Sequence, residues 1–338
     1  MKLIAVLNYM GTNKGMNDME LRYGILSTSS IAPRFIAAVR EADAGQIVAV
    51  SSRSLSKAQE KAAEWQIPKA YGSHEELLED KDVNIVYISN INTQHYPWAK
   101  AALEQGKHVV CEKPCTTTAA HTRQLYQLAR EKGLFFMEAE KMLFLPAIRE
   151  VRHRIEAGKL GKICMAELSH SFPASYNDWM FDRSAGGGPL LSSGIYAVHL
   201  LQWLFGDFSG ITGACSQMPS GVEWQYILSG ETESGVVFCI KNSTRVTLDN
   251  TAKIYGTDGW VEIPEYWKAR KVIFHCPGND PEVVEFPCTY ELIYEAKHIA
   301  QCLASGLQSS PVVTEALSVS GITALETVKA QWEKESAQ

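Results

Sequence analysis

The chain has 338 residues, of which 46% are apolar and 21% charged, and its formal net charge is −6. This length favours two domains, and the composition is that of an ordinary globular protein. The acidic balance and the lack of a basic patch argue against nucleic-acid binding. The sequence contains no apolar run near the roughly 18 residues of a membrane span, so we expect neither a nucleic acid nor a membrane as partner.

Eight cysteines are scattered along the sequence, with no CxxC pair and no Cys/His cluster at zinc spacing. This spacing supports neither a metal site nor a redox motif. A chain of this size buries enough apolar surface to fold without disulfides. We therefore expect reduced, mostly buried thiols, no bound metal and a cytoplasmic protein.

The first 18 residues fit neither of the two expected domains. Their apolar stretch, Leu3–Leu7, is shorter than the roughly 7–15 residues of a signal-peptide core, and no small-residue cleavage site follows it. We expect residues 1–18 to be a disordered leader or a cloning remnant.

Between Leu21 and about residue 140, apolar runs of strand length alternate with amphipathic helical stretches. The predicted strands are Leu21–Leu26, Ile47–Val50, Ala70–Tyr71, Val83–Ser89, His108–Cys111 and Leu134–Glu138. The predicted helices are Ile31–Ala42, Ser54–Trp65, one with a capping box of Ser73 and Glu76, Tyr96–Gln105 and Thr118–Lys132. Strands that alternate with helices indicate a doubly wound parallel sheet, so we predict an α/β domain over residues 19–140.

After Pro146 the pattern changes to β-branched and aromatic runs separated by turn residues. The predicted strands are Ile163–His170, Gly210–Ser216, Glu223–Ser229, Val236–Asn242, Thr251–Tyr255, Trp260–Ile263 and Lys271–His275. The predicted helices are Ala147–Ala157, Tyr196–Leu204, Tyr290–Ala304 and one from Thr314 to the end. This order favours an α+β domain over residues 141–338 with a large, open, mostly antiparallel sheet. One face of such a sheet needs cover, so we predict a homodimer or a higher homo-oligomer.

The first strand leads through the segment GILSTSSIAPRF into a helix. A dinucleotide-binding Rossmann domain places its Gly-rich turn at this point, with the pyrophosphate on the helix N-terminus. Small residues stand at the three glycine positions of GxGxxG and still allow a close approach of the backbone. The residues of the turn that we predict to bind the cofactor are Ser27, Thr28, Ser29, Ser30 and Ile31. A serine-rich helix cap without a ligand is the alternative.

The end of the second strand carries no acidic residue. An NAD site usually has Asp or Glu there, which accepts from the ribose hydroxyl, whereas this chain has Ser52, Arg53 and Lys57. A carboxylate would repel a 2′-phosphate, but a guanidinium pairs with it and an ammonium adds charge. The segment therefore favours NADP over NAD as cofactor, unless Arg53 and Lys57 are simply solvated.

An EKP motif, Glu112, Lys113 and Pro114, lies at the end of a predicted strand, and the run GGGPLLSSGIYAVHL follows later. Together with the serine-rich turn and the segments VYISNINTQH, MEAEKMLFLP and IYGTDGWVEIPEYWKA, these motifs resemble the Gfo/Idh/MocA family of oxidoreductases. Within it, the chain is most similar to the branch of dimeric dihydrodiol dehydrogenases and NADP-dependent aldose (xylose) dehydrogenases. The resemblance extends from Leu21 to about Trp332.

The resemblance implies that Lys113 points from its strand toward the nicotinamide and the substrate hydroxyl. It also implies an unusual Lys113–Pro114 peptide bond, which is often cis in the family. Tyr196 matches the position at which this branch uses a tyrosine as its acid/base. Ser192 stands where the family usually has Asp, so this chain lacks the carboxylate that usually helps to orient the substrate.

Further contacts are expected at the ends of two predicted strands. Ser89, Asn90, His95 and Glu112 are also predicted to bind the cofactor. His95 follows a strand's carboxyl end, where open α/β sheets bind ligands, so we also expect it as a catalytic side chain that orients substrate hydroxyls.

Oxidation of an alcohol needs a hydride acceptor and a group that takes the hydroxyl proton. The pKa of a free tyrosine is about 10, too high for an effective base at neutral pH. A nearby Lys113 ammonium would favour the phenolate of Tyr196 and lower this pKa, which predicts a catalytic pair. Outside the motif, Lys113 would be interpreted as a solvated loop residue and Tyr196 as part of the core.

Other residues near this pair are predicted to bind substrate, although each also has a purely structural interpretation. His199 lies one helical turn after Tyr196, although the apolar residues around it favour a place in the core. Asp178 and Trp179 precede the glycine run, where loop polarity explains them almost as well, and Ser192 completes the set.

Two classes of function fit these residues. The favoured one is an NADP-dependent dehydrogenase or reductase of a small sugar, polyol or cyclic diol. The alternative is a non-catalytic NADP-binding regulator of the same fold, which Ser192 and the missing glycines keep open. Because Glu112, Lys113 and Tyr196 are all present, the sequence favours the enzyme.

Overall fold

The computed structural model describes residues 20–172 and 179–336. The predicted leader, residues 1–18, lies outside this part of the chain. The described residues form two sheets with helices packed on and between them. One sheet is parallel and the other mostly antiparallel, which confirms the predicted fold class.

Residues 20–172 contain a six-stranded parallel sheet with the order β3-β2-β1-β4-β5-β6. Its strands are β1 (Arg22–Leu26), β2 (Gln46–Ser51), β3 (Lys69–Tyr71), β4 (Ile85–Ile88), β5 (His108–Glu112) and β6 (Phe136–Ala139). The chain reverses direction across the sheet between β1 and β4. At such a switch point, open α/β sheets bind ligands beyond the carboxyl ends of the strands.

Amphipathic helices connect these strands. They are α1 (Ala32–Glu41), α2 (Leu55–Trp65), α3 (His74–Glu79), α4 (Asn92–Glu104) and α5 (Ala119–Lys132). Ser54, Ser73 and Thr118 cap α2, α3 and α5, since each side chain accepts a hydrogen bond from a backbone N–H in the first turn. The Ser and Thr residues that precede the apolar periodicity therefore define where these helices start.

Two local predictions need correction. In the predicted capping box, the Glu76 carboxylate accepts from the Gly72 N–H at 3.1 Å instead of from the N–H of Ser73. Helix α4 starts at Asn92, a turn before the predicted Tyr96, and contains Pro97.

The second sheet has the order β14-β13-β12-β11-β7-β10-β9-β8 within the described residues. Its strands are β7 (Ile163–Ser171), β8 (Phe208–Gln217), β9 (Glu223–Thr232), β10 (Val237–Ser243), β11 (Thr251–Gly256), β12 (Trp260–Pro264), β13 (Lys271–His275) and β14 (Glu282–Glu285). Strands β7 and β10 pair in parallel. The sequence prediction missed β14, a short edge strand with a glutamate at each end.

The helices of this second half are α6 (Pro146–Glu156), α7 (Ile195–Phe205), α8 (Ile293–Ala304) and α9 (Glu315–Ser336). Helix α9 packs against both α5 and α7 and so joins the two halves. On the outer face of the second sheet, Met165 and Val237 are registered on β7 and β10 and both are about half exposed, as is Ile227 on β9. Within residues 20–172 and 179–336, no helix is long and apolar enough to cross a membrane.

An aromatic stack fixes α1 on the parallel sheet. The rings of Phe35 on α1 and Tyr87 on β4 are 3.7 Å apart and parallel, and Tyr23 on β1 meets Phe35 edge-on at 5.7 Å. All three side chains are fully buried. Aromatic pairs of this kind add about 0.5–1.5 kcal/mol to the gain from burial. The stack therefore holds the N-terminus of α1 over the carboxyl ends of β1 and β4.

Candidate active site between the two sheets

The turn between β1 and α1 has the backbone of a glycine-rich turn without its glycines. Ser27, at the first glycine position, has a φ of +107°, a conformation that side chains disfavour. Its N–H donates to the Ser51 carbonyl at 3.2 Å, and the Ser29 hydroxyl donates to the Ser89 hydroxyl at 2.7 Å. The N-cap residue Ile31 provides no side-chain cap, which leaves the helix N-terminus open to an anion.

Exposed cations follow β2. Arg53 and Lys57 are exposed, whereas Ser52 is buried and donates its N–H to the Tyr71 carbonyl at 3.2 Å. An exposed guanidinium beside an anchored backbone can pair with a phosphate in a bidentate way.

His74, which the sequence analysis did not single out, lies beneath these cations. The Asn90 amide donates to its Nε2 at 3.1 Å, and its Nδ1 is 2.8 Å from the Ser51 hydroxyl. Burial lowers the pKa of His74 to about 4, and the Arg53 charge acts in the same direction. The neutral ring joins the ends of β2 and β4. In the sequence, His74 is only a polar residue at the start of a helix, and such residues are too common there to indicate a functional site.

These two regions fit a dinucleotide. The open N-terminus of α1 suits a pyrophosphate. Despite its side chain, Ser27 has the positive φ that a glycine usually provides at this position of the turn. Arg53 and Lys57 suit a further phosphate at the end of β2.

Lys113 lies at the carboxyl end of β5. Its peptide bond to Pro114 is cis, as the resemblance implies. The ammonium donates to the Ser192 carbonyl and lies 4.5 Å from the centre of the Tyr196 ring. The structure therefore brings the predicted catalytic pair together. Glu112, which precedes Lys113, accepts a hydrogen bond from the Tyr87 hydroxyl.

A glycine-rich turn delivers Tyr196 to this point. Gly186 and Gly188 have φ values of +72° and +109°, and a short π-helix, Leu190–Gly194, leads into α7. The Ser192 hydroxyl donates to the Gly188 carbonyl at 2.8 Å, so it closes its own helical turn. Ser192 therefore contacts Lys113 through its carbonyl, which differs from the predicted role of its side chain in substrate binding.

The electrostatics of the pair correct one expectation. Burial lowers the pKa of Lys113, against the opposing charges of Glu112 and Glu140. Burial raises the pKa of Tyr196 well above its usual value, and the same two carboxylates raise it further. The predicted lowering of the tyrosine pKa is therefore wrong for this environment, because desolvation and nearby negative charge both oppose the phenolate.

His95 is held by the backbone on both sides. Its Nδ1 is 2.8 Å from the Pro114 carbonyl and its Nε2 is 2.9 Å from the Asn90 carbonyl, and the side chain is 1% exposed. Both ring nitrogens thus point at backbone oxygens. This geometry does not fit the predicted contacts of His95 with substrate, and favours a role in positioning the loops that carry Asn90 and Lys113.

His199 is fully buried, as its apolar neighbours indicated. Its Nδ1 is 2.9 Å from Glu140 Oε2, and its Nε2 is 3.9 Å from Glu138 Oε2. With no exposed surface, the side chain cannot touch a substrate in this structure, which corrects its place in the predicted substrate set. The sequence analysis missed Glu138 and Glu140, although a glutamate within the edge strand β6 and another just after it were a usable signal.

Two further predicted substrate residues are Asp178 and Trp179. Asp178 is outside the described residues. Trp179 begins a short 3-10 turn, Trp179–Phe181, and is 37% exposed. Their part in substrate binding stays a prediction.

An ion cluster missed by the sequence analysis lies beside β6. Glu291 bonds both Arg34 on α1 and Lys141, which follows β6. Lys141 and Glu291 are buried, whereas Arg34 is partly exposed. Burial and the Arg34 charge lower the pKa of Lys141 to about 8. The cluster joins the first turn of α1 to the start of α8.

Comparison with known proteins agrees with this arrangement. Residues 21–140 match the oxidoreductase family with an NAD-binding Rossmann fold, GFO_IDH_MocA, and residues 148–262 match the GFO/IDH/MocA C-terminal domain. The trans-1,2-dihydrobenzene-1,2-diol dehydrogenase of Mus musculus is 35% identical over 308 residues, which cover 87% of this chain and 92% of that protein. The chain belongs to the Gfo/Idh/MocA family of oxidoreductases, as its motifs predicted.

Solved structures share the fold at lower identity. The 3-ketoreductase KijD10 from Actinomadura kijaniata, in complex with NADP and TDP-benzene, has a TM-score of 0.84 at 23% identity over 92% of this chain and 98% of that chain. Levoglucosan dehydrogenase, in complex with NADH and levoglucosan, has a TM-score of 0.83 at 20% identity over 93% and 98%. These similarities support the two-sheet architecture.

The strain at Ser27 leads to a testable prediction. A side chain at this φ costs on the order of 1 kcal/mol, so Ser27→Gly is expected to raise the melting temperature by about 2 °C. Ser30→Gly, in the same exposed turn but without a positive φ, is the matched control and should be neutral or slightly destabilising. Thermal unfolding by circular dichroism measures both. A lower melting temperature for Ser27→Gly would show that the serine side chain contributes more than its backbone strain costs.

Proposed function

We propose that this protein is an NADP-dependent oxidoreductase that transfers a hydride between the nicotinamide and a hydroxyl or carbonyl carbon of a small sugar, polyol or cyclic diol. The observation that carries the proposal is the Lys113 ammonium over the Tyr196 ring, at the carboxyl end of β5. Similar proteins named as a diol dehydrogenase, a ketoreductase and a levoglucosan dehydrogenase support this substrate class.

Lys113 is the group that exchanges the proton with the substrate oxygen. Burial lowers the pKa of Lys113 and raises the pKa of Tyr196, so Lys113 loses its proton at a lower pH than Tyr196 does. Tyr196 stays protonated and donates a hydrogen bond to the same oxygen. When bound, the nicotinamide accepts or supplies the hydride. In oxidation the hydroxyl proton passes to Lys113 as the carbonyl forms, and in reduction Lys113 returns it.

The preference for NADP rests on the end of β2. Arg53 and Lys57 are exposed there, and Ser51 and Ser52 take the place of an acid that would repel a 2′-phosphate. The turn residues Ser27 to Ile31 would hold the pyrophosphate. Ser89, Asn90 and Glu112 are proposed for the nicotinamide half, since they follow β4 and end β5.

The cofactor preference can be measured by titration with NADPH and NADH. The chain has eight tryptophans, so energy transfer to a bound reduced nicotinamide provides the signal. Arg53→Ala is expected to weaken NADPH binding by about 10- to 100-fold and to leave NADH binding unchanged, because only the 2′-phosphate loses a partner. Arg123→Ala, an exposed arginine on α5, serves as the control. Equal affinities for both cofactors in the unaltered protein would contradict the proposal.

The catalytic assignment predicts that Lys113→Ala lowers turnover by about 10²- to 10⁴-fold in both directions while NADPH still binds. Tyr196→Phe keeps the ring under the ammonium and should have a smaller effect. Lys159→Ala, an exposed lysine after α6, controls for loss of positive charge. Steady-state kinetics on a panel of sugars, polyols and cyclic diols measures the effect, and unchanged turnover in Lys113→Ala would overturn the mechanism.

The pH dependence of turnover has a defined sign. Oxidation needs the neutral amine, so its kcat is expected to rise with pH through the lowered pKa of Lys113, whereas the kcat of reduction falls over the same range. A pH-independent kcat in both directions would assign the proton transfer to another group.

Three further properties are proposed with this function. Residues 19–140 form the nucleotide-binding domain and residues 141–338 the substrate-binding domain.

The exposed apolar residues Met165, Ile227 and Val237 on the outer face of the second sheet support a homodimer, and a monomer in sedimentation at micromolar concentration would contradict it. The cytoplasm is the proposed location, from the scattered free cysteines.

A further inference from the structure

His170, near the carboxyl end of β7, is a buried polar side chain without a role in the mechanism above. It is 7% exposed, and its Nδ1 has no hydrogen-bond partner among the residues that the structure describes. A buried polar atom without a partner destabilises a fold by about 1–3 kcal/mol, so such an atom is usually satisfied by a ligand or a water. The position of His170 decides which ligand can reach it.

Strand register connects His170 to Lys113. His170 is paired with Asn242 of β10, and paired residues on neighbouring strands point to the same face of a sheet. The Asn242 amide donates to the Ser193 hydroxyl at 2.7 Å. Ser193 follows Ser192, whose carbonyl accepts from the Lys113 ammonium. The face of the second sheet that carries His170 is therefore the face that closes on the catalytic lysine.

Aromatic neighbours fix the orientation of the imidazole. The His170 ring is stacked on Trp267 with 3.8 Å between the ring centres and 9° between the planes. Phe172 and Tyr266 meet it edge-on at 5.7 and 6.3 Å. The short helix Tyr266–Lys268, which carries Tyr266 and Trp267, packs against the turn after β6. The ring is held rigidly, as a specific hydrogen-bonding group needs to be.

The surroundings keep His170 neutral. The charged groups that act on it are Lys113, Lys268 and Lys141, all cations, and together with burial they lower its pKa to about 3. A neutral imidazole has one N–H donor and one nitrogen acceptor. It can therefore accept the proton of a hydroxyl or donate to its oxygen, without adding a charge to the site.

Several other polar side chains of the site are already engaged. The Ser192 hydroxyl donates to Gly188, both nitrogens of His95 face backbone carbonyls, and His199 is fully buried against Glu140. Lys113 and Tyr196 serve the reacting oxygen in the proposed mechanism. The Nδ1 of His170, which has no partner among the described residues, is therefore available to bind a second oxygen of the substrate.

We propose that His170 binds the substrate hydroxyl next to the reacting carbon, and so makes the enzyme prefer vicinal diols and α-hydroxy carbonyls to simple alcohols and ketones. This role of His170 rests on the proposed function, and it identifies the side chain that determines which substrates the enzyme prefers. No additional covalent step is involved, since His170 exchanges only a hydrogen bond.

The test compares substrates that differ in this hydroxyl alone. Kinetics with NADP are measured on D-glucose and 2-deoxy-D-glucose, and on trans-1,2-cyclohexanediol and cyclohexanol. His170→Phe keeps the ring on Trp267 but removes both nitrogens. It is expected to lower kcat/KM for the substrates with the neighbouring hydroxyl by about 10- to 100-fold, and to change kcat/KM for the analogues by less than about twofold.

Two further variants complete the design. His170→Asn keeps a hydrogen-bonding group and is expected to retain part of the preference, which also decides the question if His170→Phe does not fold. His275→Phe is the matched control, because His275 is stacked on Trp260 at 3.7 Å in the same way but on β13, away from Lys113. NADPH titration and thermal unfolding of each variant verify that the cofactor site and the fold are intact.

Each outcome has one meaning. A selective loss with the hydroxylated substrates supports the role of His170. Equal losses with both members of a pair, or no loss, overturn that role and leave the proposed function standing. If the unaltered protein binds NADPH but turns over no member of the panel in either direction, the proposed function fails and the role of His170 fails with it.

Discussion

The contact between the Lys113 ammonium and the Ser192 carbonyl joins the two sheets where the chemistry is proposed. Lys113 ends a strand of the parallel sheet, whereas Ser192 belongs to the turn that leads into α7. A buried ammonium needs partners to replace lost water, and here a carbonyl and the ring of Tyr196 provide them. The contact therefore helps to fix Tyr196 relative to the carboxyl end of β5, and the glycine turn before α7 brings the Ser192 carbonyl to Lys113.

Buried carboxylates determine how the pair can exchange protons. Glu138 and Glu295 are fully buried, and burial raises the pKa of both. Glu140 pairs with His199 beneath Tyr196 and, like Glu112, acts against ionisation of the tyrosine. This negative surrounding favours a tyrosine that remains protonated and a lysine that exchanges the proton. The spacing of Lys113 and Tyr196 along the chain did not indicate this balance, because only Glu112 is adjacent to Lys113, whereas Glu138, Glu140 and Glu295 come from other parts of the chain.

The alternation of strands and helices was predictable because buried parallel strands are apolar throughout, and serine and threonine caps mark helix starts. The family motif identified Lys113 and Tyr196. The directions of side chains were not predictable: His95 was expected at the substrate but faces two backbone carbonyls, and Glu140 was not foreseen as the partner of His199 in the core. His170 was seen only as part of a strand, since its neighbours Asn242 and Trp267 lie far along the chain. A position at a strand end indicates the edge of a sheet, but tertiary partners determine what the side chain contacts.

Direct observation of hydride transfer tests the central claim, which is that the Lys113–Tyr196 site catalyses a redox reaction. The protein is mixed in a single turnover with NADPH deuterated at nicotinamide C4 and a panel of keto-sugars and cyclic α-hydroxy ketones, and the products are analysed by mass spectrometry. One deuterium is expected on the new carbinol carbon, and Lys113→Ala is expected to form this product about 10²- to 10⁴-fold more slowly even though NADPH still binds. Bound NADPH without deuterium in any product would contradict the central claim and would favour a non-catalytic, cofactor-binding protein.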